Sequence, residues 1–350
     1  MEEIALKVQI DTTDKEVWQI GSGNDTRPYD DIFLKFGIAM VGPGESGDVR
    51  KPEAEEFFKK YGWPDWGSKL LQVKKGSIIV LRKGIKKILA VGKVLEEYDY
   101  SDLLADIHGW DLRHFVKVEW YTPVNPIIFT DTPLVQATLA RVNNPIVINR
   151  IHKEEFIQVK AAKDLAELNL PKTVNIDEIS QAFIHHGVRI QDADNVAKTI
   201  ERIIKLAKWY DNKDPDALEH EIRTFLVIPL LISLGWSEQK MKIEYNHVDI
   251  AVFSKPYEKE NELHPHMIVE TKTFFNGLYY AADQIINYAK AFPECSLLVA
   301  TNGYRYWIYE KVDGKFQASG YFNLFNMHEW YCLDEKIYGV VPSLLKLSNY

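Results

Sequence analysis

In about the first 125 residues, apolar positions fall in short β-branched or aromatic runs broken by turn residues, the pattern of short strands with few helices. Ile32 to Val41 reads as one strand, closed by Gly42-Pro43-Gly44. Gly76 to Leu81 reads as a second and Ile88 to Val94 as a third, with Arg82-Lys83-Gly84 as the hairpin turn between them. Phe115 to Tyr121 alternates cleanly as a further strand, and Glu53 to Tyr61 has the look of a helix. Many short strands predict a small β-barrel.

Pro123 to Pro145 is rich in Pro, Asn and Thr and reads as an irregular stretch closing a first domain. From Lys160 to Tyr210 the period becomes helical. Val196, Ile200, Ile203, Ile204 and Ala207 recur on one helix face. The run Asp211 to Asp216 breaks this helix, with Asp216 placed to cap the next one. Ala217 to Leu234 is helical and ends at Gly235. His247 to Phe253 and Met267 to Lys272 read as partner strands, and Tyr279 to Phe292 as a helix. Ser296 to Thr301 and Tyr304 to Tyr309 read as strands joined at Asn302-Gly303, a strong hairpin signal. The expected organisation is 1–160, 161–212 as a helical linker, and 213–350.

Composition narrows the class. The chain has 350 residues, 46% hydrophobic and 26% charged, enough for two ordinary soluble domains. Its formal net charge of −8 argues against a uniformly basic nucleic-acid coat and leaves local patches open. Cys295 and Cys332 have no ligand spacing, so neither a zinc site nor a disulfide framework is expected. The pairs His185-His186 and His264-Pro-His266 lack further ligands at metal spacing and read as surface or loop residues. No signal peptide and no membrane-spanning run is evident, and a reducing cytoplasm is the simplest compartment.

The chemistry gathers in the last third. Asp249 lies in the strand Val248-Asp-Ile-Ala-Val-Phe, and Glu270 and Lys272 in Ile268-Val-Glu-Thr-Lys. Residues two apart on a strand share a face, so Glu270 and Lys272 project together while Thr271 projects away. Pairing of the two strands would bring Asp249 beside them. Two carboxylates can hold a hard cation such as Mg²⁺ or Mn²⁺. Such a cation polarises a phosphoryl group and acidifies a bound water, and a lysine beside it can orient that water or offset developing charge. A Glu and a Lys facing solvent on a surface strand are the ordinary alternative. The apolar neighbours Val248, Ile250, Val252, Ile268 and Val269 argue instead for buried strands, where charges need partners.

The stretch from Glu219 to Lys311 contains Glu219-x-x-x-Arg223, Pro229-Leu-Leu, Leu234-Gly-Trp236, Asp249, Glu270-Thr-Lys272, Gln284-x-x-x-Tyr288 and Thr301-Asn-Gly303 before Tyr304-Arg-Tyr-Trp-Ile. In this order these resemble the PD-(D/E)xK nuclease domain at the N-terminus of type I restriction motor subunits. The resemblance implies an α/β/α restriction-endonuclease-like domain in which Asp249 and Glu270 bind Mg²⁺ and Lys272 is catalytic. Glu219 would be the helix acid at the edge of the metal site, with Glu221 its rival. Gln284 and Tyr288, at i and i+4, would support the active site beside the DNA; ordinary helix packing is the alternative.

In the first domain, Lys74, Lys75, Arg82, Lys83, Lys86, Lys87 and Lys93 cluster without an intervening acid, as a DNA-backbone patch or as the charges that protect an edge strand. Trp18, Trp63, Trp66, Trp110 and Trp120 suit either a barrel core or base stacking, and Trp63-Pro-Asp-Trp66 looks least core-like. Val17-Trp-Gln-Ile-Gly-Ser-Gly-Asn, Phe33-Leu-Lys-Phe-Gly-Ile-Ala and the hairpin from Lys75 to Val94 resemble the EVE, YTH and PUA-like base readers. That resemblance implies a PUA-like β-barrel with Trp18 and Ser22 at a modified-base pocket; Trp63 and Trp66 are added as pocket candidates on their loop position.

Together these readings predict an α+β and α/β protein: a modification-dependent restriction endonuclease acting on double-stranded DNA with Mg²⁺. A homodimer is expected because cutting two strands calls for two sites, with the helical segment as the interface. No P-loop pattern is present, so no NTPase motor of that kind is expected. The alternatives are a defence nuclease gated by RNA or a nucleotide signal, and a non-catalytic nucleic-acid-binding module.

Overall fold

A computed structural model describes residues 6–24, 27–107, 110–213, 217–274, 278–331 and 337–350. Asp216 and Cys332, both singled out above, lie outside the described residues. The chain is a mixed α+β protein in two compact units, Met1–Leu170 and Pro171–Tyr350. The helices of the expected 161–212 linker fall inside the second unit.

The first unit contains β1 (Lys7–Val8), β2 (Val17–Gly21), β3 (Gly23–Asn24), β4 (Arg27–Pro28), β5 (Ile38–Val41), β6 (Ile78–Lys83), β7 (Lys87–Tyr100), β8 (His114–Pro123), β9 (Ile127–Ile128), β10 (Leu139–Arg141) and β11 (Phe156–Gln158). Its helices are α1 (Asp30–Phe36), α2 (Pro52–Tyr61), α3 (Trp66–Leu70) and α4 (Pro145–Lys153). The main sheet runs β1-β11-β8-β7-β6-β2-β10, with β5 on β8 and β9 on β7. The β2–β6 pair is parallel. The ends β1 and β10 do not pair among the described residues, so the expected barrel is not closed. One face packs Val17, Ile78, Val80, Ile88 and Val91 against Val147, Ile151 and Phe156. On β8, Trp120 lies across Gly92 of β7, where an added Cβ would meet its ring at 2.8 Å.

Three readings of this unit are corrected. The hairpin turn is Gly84 to Lys86, because Arg82 and Lys83 still pair with Ile88 and Lys87 inside the β6–β7 ladder. Ile32 to Val41 is not one strand. Ile32, Phe33 and Phe36 sit at helical spacing and are buried from α1, and Gly37, at φ 61°, ends the helix with its N–H on the Phe33 carbonyl before β5 begins. The stretch from Pro123 to Pro145 is not wholly irregular either, because it contributes β9 and β10. These strands of two and three residues are too short to display an alternating pattern.

The second unit contains α5 (Ile176–His185), α6 (Ile190–Lys213), α7 (Glu219–Ile222), α8 (Ile228–Ser233), α9 (Tyr279–Tyr288) and α10 (Val340–Leu347). Its strands β12 (Met241–Tyr245), β13 (Val248–Val252), β14 (Met267–Thr271), β15 (Leu297–Thr301), β16 (Arg305–Val312) and β17 (Lys315–Asn323) lie side by side in that order. Among these six strands, as described, only β14 and β15 pair in parallel, and α9 lies in the crossover between them, packed on both strands. Both strands are buried along their whole length, as expected for a covered parallel pair.

Between α7 and α8 the chain makes a π turn, Arg223–Val227, in which the Ile228 N–H reaches the Arg223 carbonyl. Pro229 follows at once and has no N–H to return to the preceding turn, which favours this wider loop over a regular α register. The helix then ends at Gly235, with φ 93°. The Trp236 indole closes the turn by donating to the Leu347 carbonyl at 2.8 Å.

Candidate functional site

The site forms where β13 and β14 part. Their ladder runs from Val252↔Met267 to Ile250↔Val269 and goes no further. Past that point the Thr271 N–H donates to Asp249 Oδ2 at 2.6 Å, and the Thr271 hydroxyl donates to the same oxygen at 2.7 Å. A side-chain carboxylate thus takes the place of a backbone acceptor and fixes Asp249 against the next strand. Thr271, expected to point away from the site, is fully buried and bonded into it.

The other Asp249 oxygen accepts from Arg223 Nη1 at 2.7 Å, and Arg223 Nη2 reaches Glu244 Oε1 at 2.7 Å. The π turn carries Arg223 to this position, where its side chain is only 8% exposed. Glu244 is aimed by unusual backbone. It falls between the pairs Ile243↔Ile250 and Tyr245↔Val248, with φ 52°, and the turn after it places Asn246 and His247 at φ 48° and 71°.

Glu270 is buried, and Lys272 Nζ donates to its Oε1 at 2.7 Å, so the two do project together. Burial pushes the Glu270 carboxyl above its ordinary range. Lys272 opposes that shift, and the charges of Asp249 and Glu219 add to it. Glu219, on α7, is therefore felt at the site. Glu221 turns instead to the helix start, where it accepts from the Leu218 N–H at 3.1 Å.

The rest of the motif set frames these groups. Gln284 Nε2 donates to the Tyr288 hydroxyl at 2.8 Å along α9. The Lys272 N–H donates to the Thr301 carbonyl, extending the β14–β15 ladder. Asn302 Nδ2 holds the Phe274 carbonyl at 2.7 Å, which shapes the chain just after Lys272. Gly303 lies so close to the π turn that a Cβ would stand 2.5 Å from the Leu226 side chain. Nothing in the sequence pattern assigns a role to Glu244 or Thr271, and Arg223 stands out only as part of the family-like pattern. The one local signal was a charged residue set among Ile222, Leu226 and Val227.

No group of three His, Cys, Asp or Glu side chains forms a metal cage among the described residues. Mg²⁺ does not require one, since it keeps several waters and is commonly held by one or two carboxylates together with phosphate oxygens. The donor chemistry of Asp249 and Glu270 fits that need.

In the first unit, Trp18 and Ser22 are 1% exposed. Ser22 Oγ donates to the Arg82 carbonyl at 3.3 Å, and Arg141 lies over the Trp18 ring at 5.0 Å. The Trp18 indole nitrogen is buried without a hydrogen-bond partner. Trp63 is 42% exposed and packs with Phe57 and Tyr61, while Trp66 opens α3, which touches β10 next to β2. Arg82 is buried and spends its guanidinium on the Gly84 and Ala137 carbonyls at 2.6 Å, so it does not share the open surface of Lys75, Lys86 and Lys87. Lys74 pairs with Glu97 at 3.5 Å, and Lys83 is half-buried.

Among the described residues no helix is long and apolar enough to cross a membrane. Neither the curated proteins nor the solved structures contain a match to this chain. Residues 219–323 match the family described as type I restriction enzyme R protein N terminus, so the stretch holding Glu219, Asp249, Glu270 and Lys272 is a restriction-related domain.

Proposed function

We propose that this chain is a metal-dependent nuclease that cuts double-stranded DNA after its first unit has read a modified base. The observation that carries the reading is the meeting of Asp249, Glu270 and Lys272 at the parting of β13 and β14, inside the matched stretch. Asp249 and Glu270 would hold Mg²⁺ or Mn²⁺, with Glu219 beside them. When bound, that ion supplies Lewis acidity to a phosphoryl group and acidity to a water. The chain's own residues do the rest. Thr271 fixes the Asp249 carboxylate, and Glu270 holds the Lys272 ammonium where it can meet an attacking water or a charged phosphate oxygen. The α9 pair Gln284 and Tyr288 is assigned a supporting role.

The buried, unpartnered indole of Trp18 supports a reading role for the first unit, with Ser22 four residues on, just past the far end of β2. This reading does not need a closed barrel.

One observation favours a second reading. Both carboxylates are already engaged by cations of the protein, Asp249 by Arg223 and Glu270 by Lys272. A non-catalytic nucleic-acid-binding module would keep this arrangement permanently. A cleavage assay in Mg²⁺ decides between the two, using matched duplexes that are unmodified or carry methylcytosine, hydroxymethylcytosine or methyladenine. Cutting of one modified duplex, abolished in Lys272→Ala, is the expected result. Cutting of every duplex would remove the modified-base reader, and cutting of none would favour the binding module.

A further inference from the structure

A second charged feature of Pro171–Tyr350 lies outside the carboxylate site. Helix α6 buries Val196, Ile200, Ile203 and Ala207. On another side Lys198, Arg202, Lys205 and Trp209 recur at i, i+4, i+7 and i+11, and all are exposed. With Glu201 and Leu206 they line a shallow open groove. Trp209 is 51% exposed, so the core does not account for it.

The charge here runs against that of the chain. The net charge is −8, yet residues 198–209 hold four cations and one carboxylate. That carboxylate, Glu201, is held by Lys205 at 2.7 Å. Lys198 and Arg202 make no ion pair with a described residue. The row also leads towards the candidate site. The Trp209 ring meets Tyr210 edge-on at 5.3 Å, Tyr210 meets Phe274 at 6.3 Å, and Phe274 follows Lys272 by two residues.

We infer that this face of α6 is a nucleic-acid docking surface, on which Lys198, Arg202 and Lys205 meet successive phosphates and Trp209 stacks on a base at a strand end or unpaired step. The inference rests on the nuclease reading and adds to it the surface that guides the strand. From residue 198 to 209 the helix axis advances about 16 Å, the length of about five nucleotides at ~3.4 Å per step along one strand. A second copy of this chain is the competing occupant, because the helical segment is also the expected dimer interface. An isologous contact through this row would set the same three cations against themselves, whereas a phosphate backbone neutralises them.

The test uses the full chain with Lys272→Ala, so that DNA stays intact. Its binding to a fluorescein-labelled duplex and to a labelled single strand is followed by fluorescence anisotropy across a salt series. In that background, Lys198→Gln, Arg202→Gln and Lys205→Gln together should lower the slope of log affinity against log salt by about 2–3, at ~0.9 per phosphate contact. Trp209→Ala should weaken the single strand about tenfold and leave the slope in place. All these positions are exposed, and an unchanged thermal midpoint confirms an intact fold. An unchanged slope in the triple variant, with the parent binding DNA, overturns the surface alone. A parent that binds no nucleic acid overturns the nuclease reading as well. Conversion of a dimer to a monomer in the triple variant, read by sedimentation, overturns it in favour of the second copy.

Discussion

Two polar clusters, one in each unit, are built on opposite principles. In Met1–Leu170, His114 is fully buried on β8, between Tyr98 and Tyr100. Its Nε2 lies 2.8 Å from the Pro43 carbonyl, which can only accept, so Nε2 carries the proton and Nδ1 accepts from the Tyr98 hydroxyl at 2.8 Å. Ser46 Oγ stands 3.2 Å from the same Nε2. The ring is neutral and satisfied, and burial pushes its pKa down. In Pro171–Tyr350 the cluster is ionic: Arg223 and Lys272 against Asp249, Glu244 and Glu270. There burial pushes a carboxyl up, and neighbouring carboxylates push it further. A cluster built only for stability has no reason to crowd acids around a buried acid. The first cluster ties a loop to a sheet, and the second ties the π turn to β12 and β13 through ion pairs; on the proposed function its acids would meet a metal ion.

The comparison breaks most visibly at Arg223. Arg223→Met should destabilise the metal-free protein by about 3 kcal/mol, the lower end of the ~3–5 kcal/mol range for breaking a buried pair, because the Asp249 side chain keeps 20% exposure. Urea unfolding in EDTA measures this loss. Added Mg²⁺ should return part of it, since a ligand at ten times its Kd stabilises by about 1.4 kcal/mol. A Met variant as stable as the parent would show that Asp249 does not need the cation, and the ionic half of the contrast would fall.

His114→Ala comes next, at about 2–4 kcal/mol for a cavity and stranded hydrogen-bond partners, with no dependence on Mg²⁺. The pH dependence has a definite sign. A buried His with a lowered pKa stays neutral in the fold while the unfolded chain takes up a proton near 6.5. Its contribution is complete above 6.5 and is lost as pH falls from there towards the folded value. Asp48 and Asp65 oppose the shift, and Arg113 reinforces it. Replacing His114 should therefore flatten the acid limb of the stability profile. A variant that keeps the limb would assign acid sensitivity elsewhere.

The two clusters were not equally visible in the sequence. Asp249, Glu270 and Lys272 stood out because strand alternation is local, and Val248, Ile250, Ile268 and Val269 announced burial on both sides. Arg223 has no such local code. Its contacts lie 26 and 21 residues away and depend on a π turn before Pro229 and on left-handed backbone at Glu244. Asn302-Gly303 was legible as a hairpin turn, but its hold on the Phe274 carbonyl and the close approach of Gly303 to Leu226 were not. In the first unit, α1 was hidden inside an apolar run that also suits a strand, and the open edges of the sheet depend on strands of two or three residues. The network around His114 has no sequence signature, because it joins positions 43, 46, 98 and 114, which share no periodic pattern.

The smallest effect is the sharpest test, because its sign is opposite to that of His114. Glu270 has its carboxyl raised above the ordinary 4.5, first by burial. Between 4.5 and the folded value the native state holds a proton that the unfolded chain has lost, so stability falls as pH rises through that window. Above the window the ionised group carries its full cost; below 4.5 it carries none. Glu270→Gln copies the protonated form and should make the metal-free protein more stable at pH 8, with no gain at pH values below 4.5. The same variant should lose the Mg²⁺-dependent rise in thermal midpoint expected of the parent. A satisfied structural carboxylate behaves differently: its removal destabilises at neutral pH and leaves any Mg²⁺ response intact. Thermal midpoints in EDTA and in Mg²⁺ at two pH values separate these outcomes. A destabilised Gln variant would place Glu270 with His114, as a group that holds the fold together.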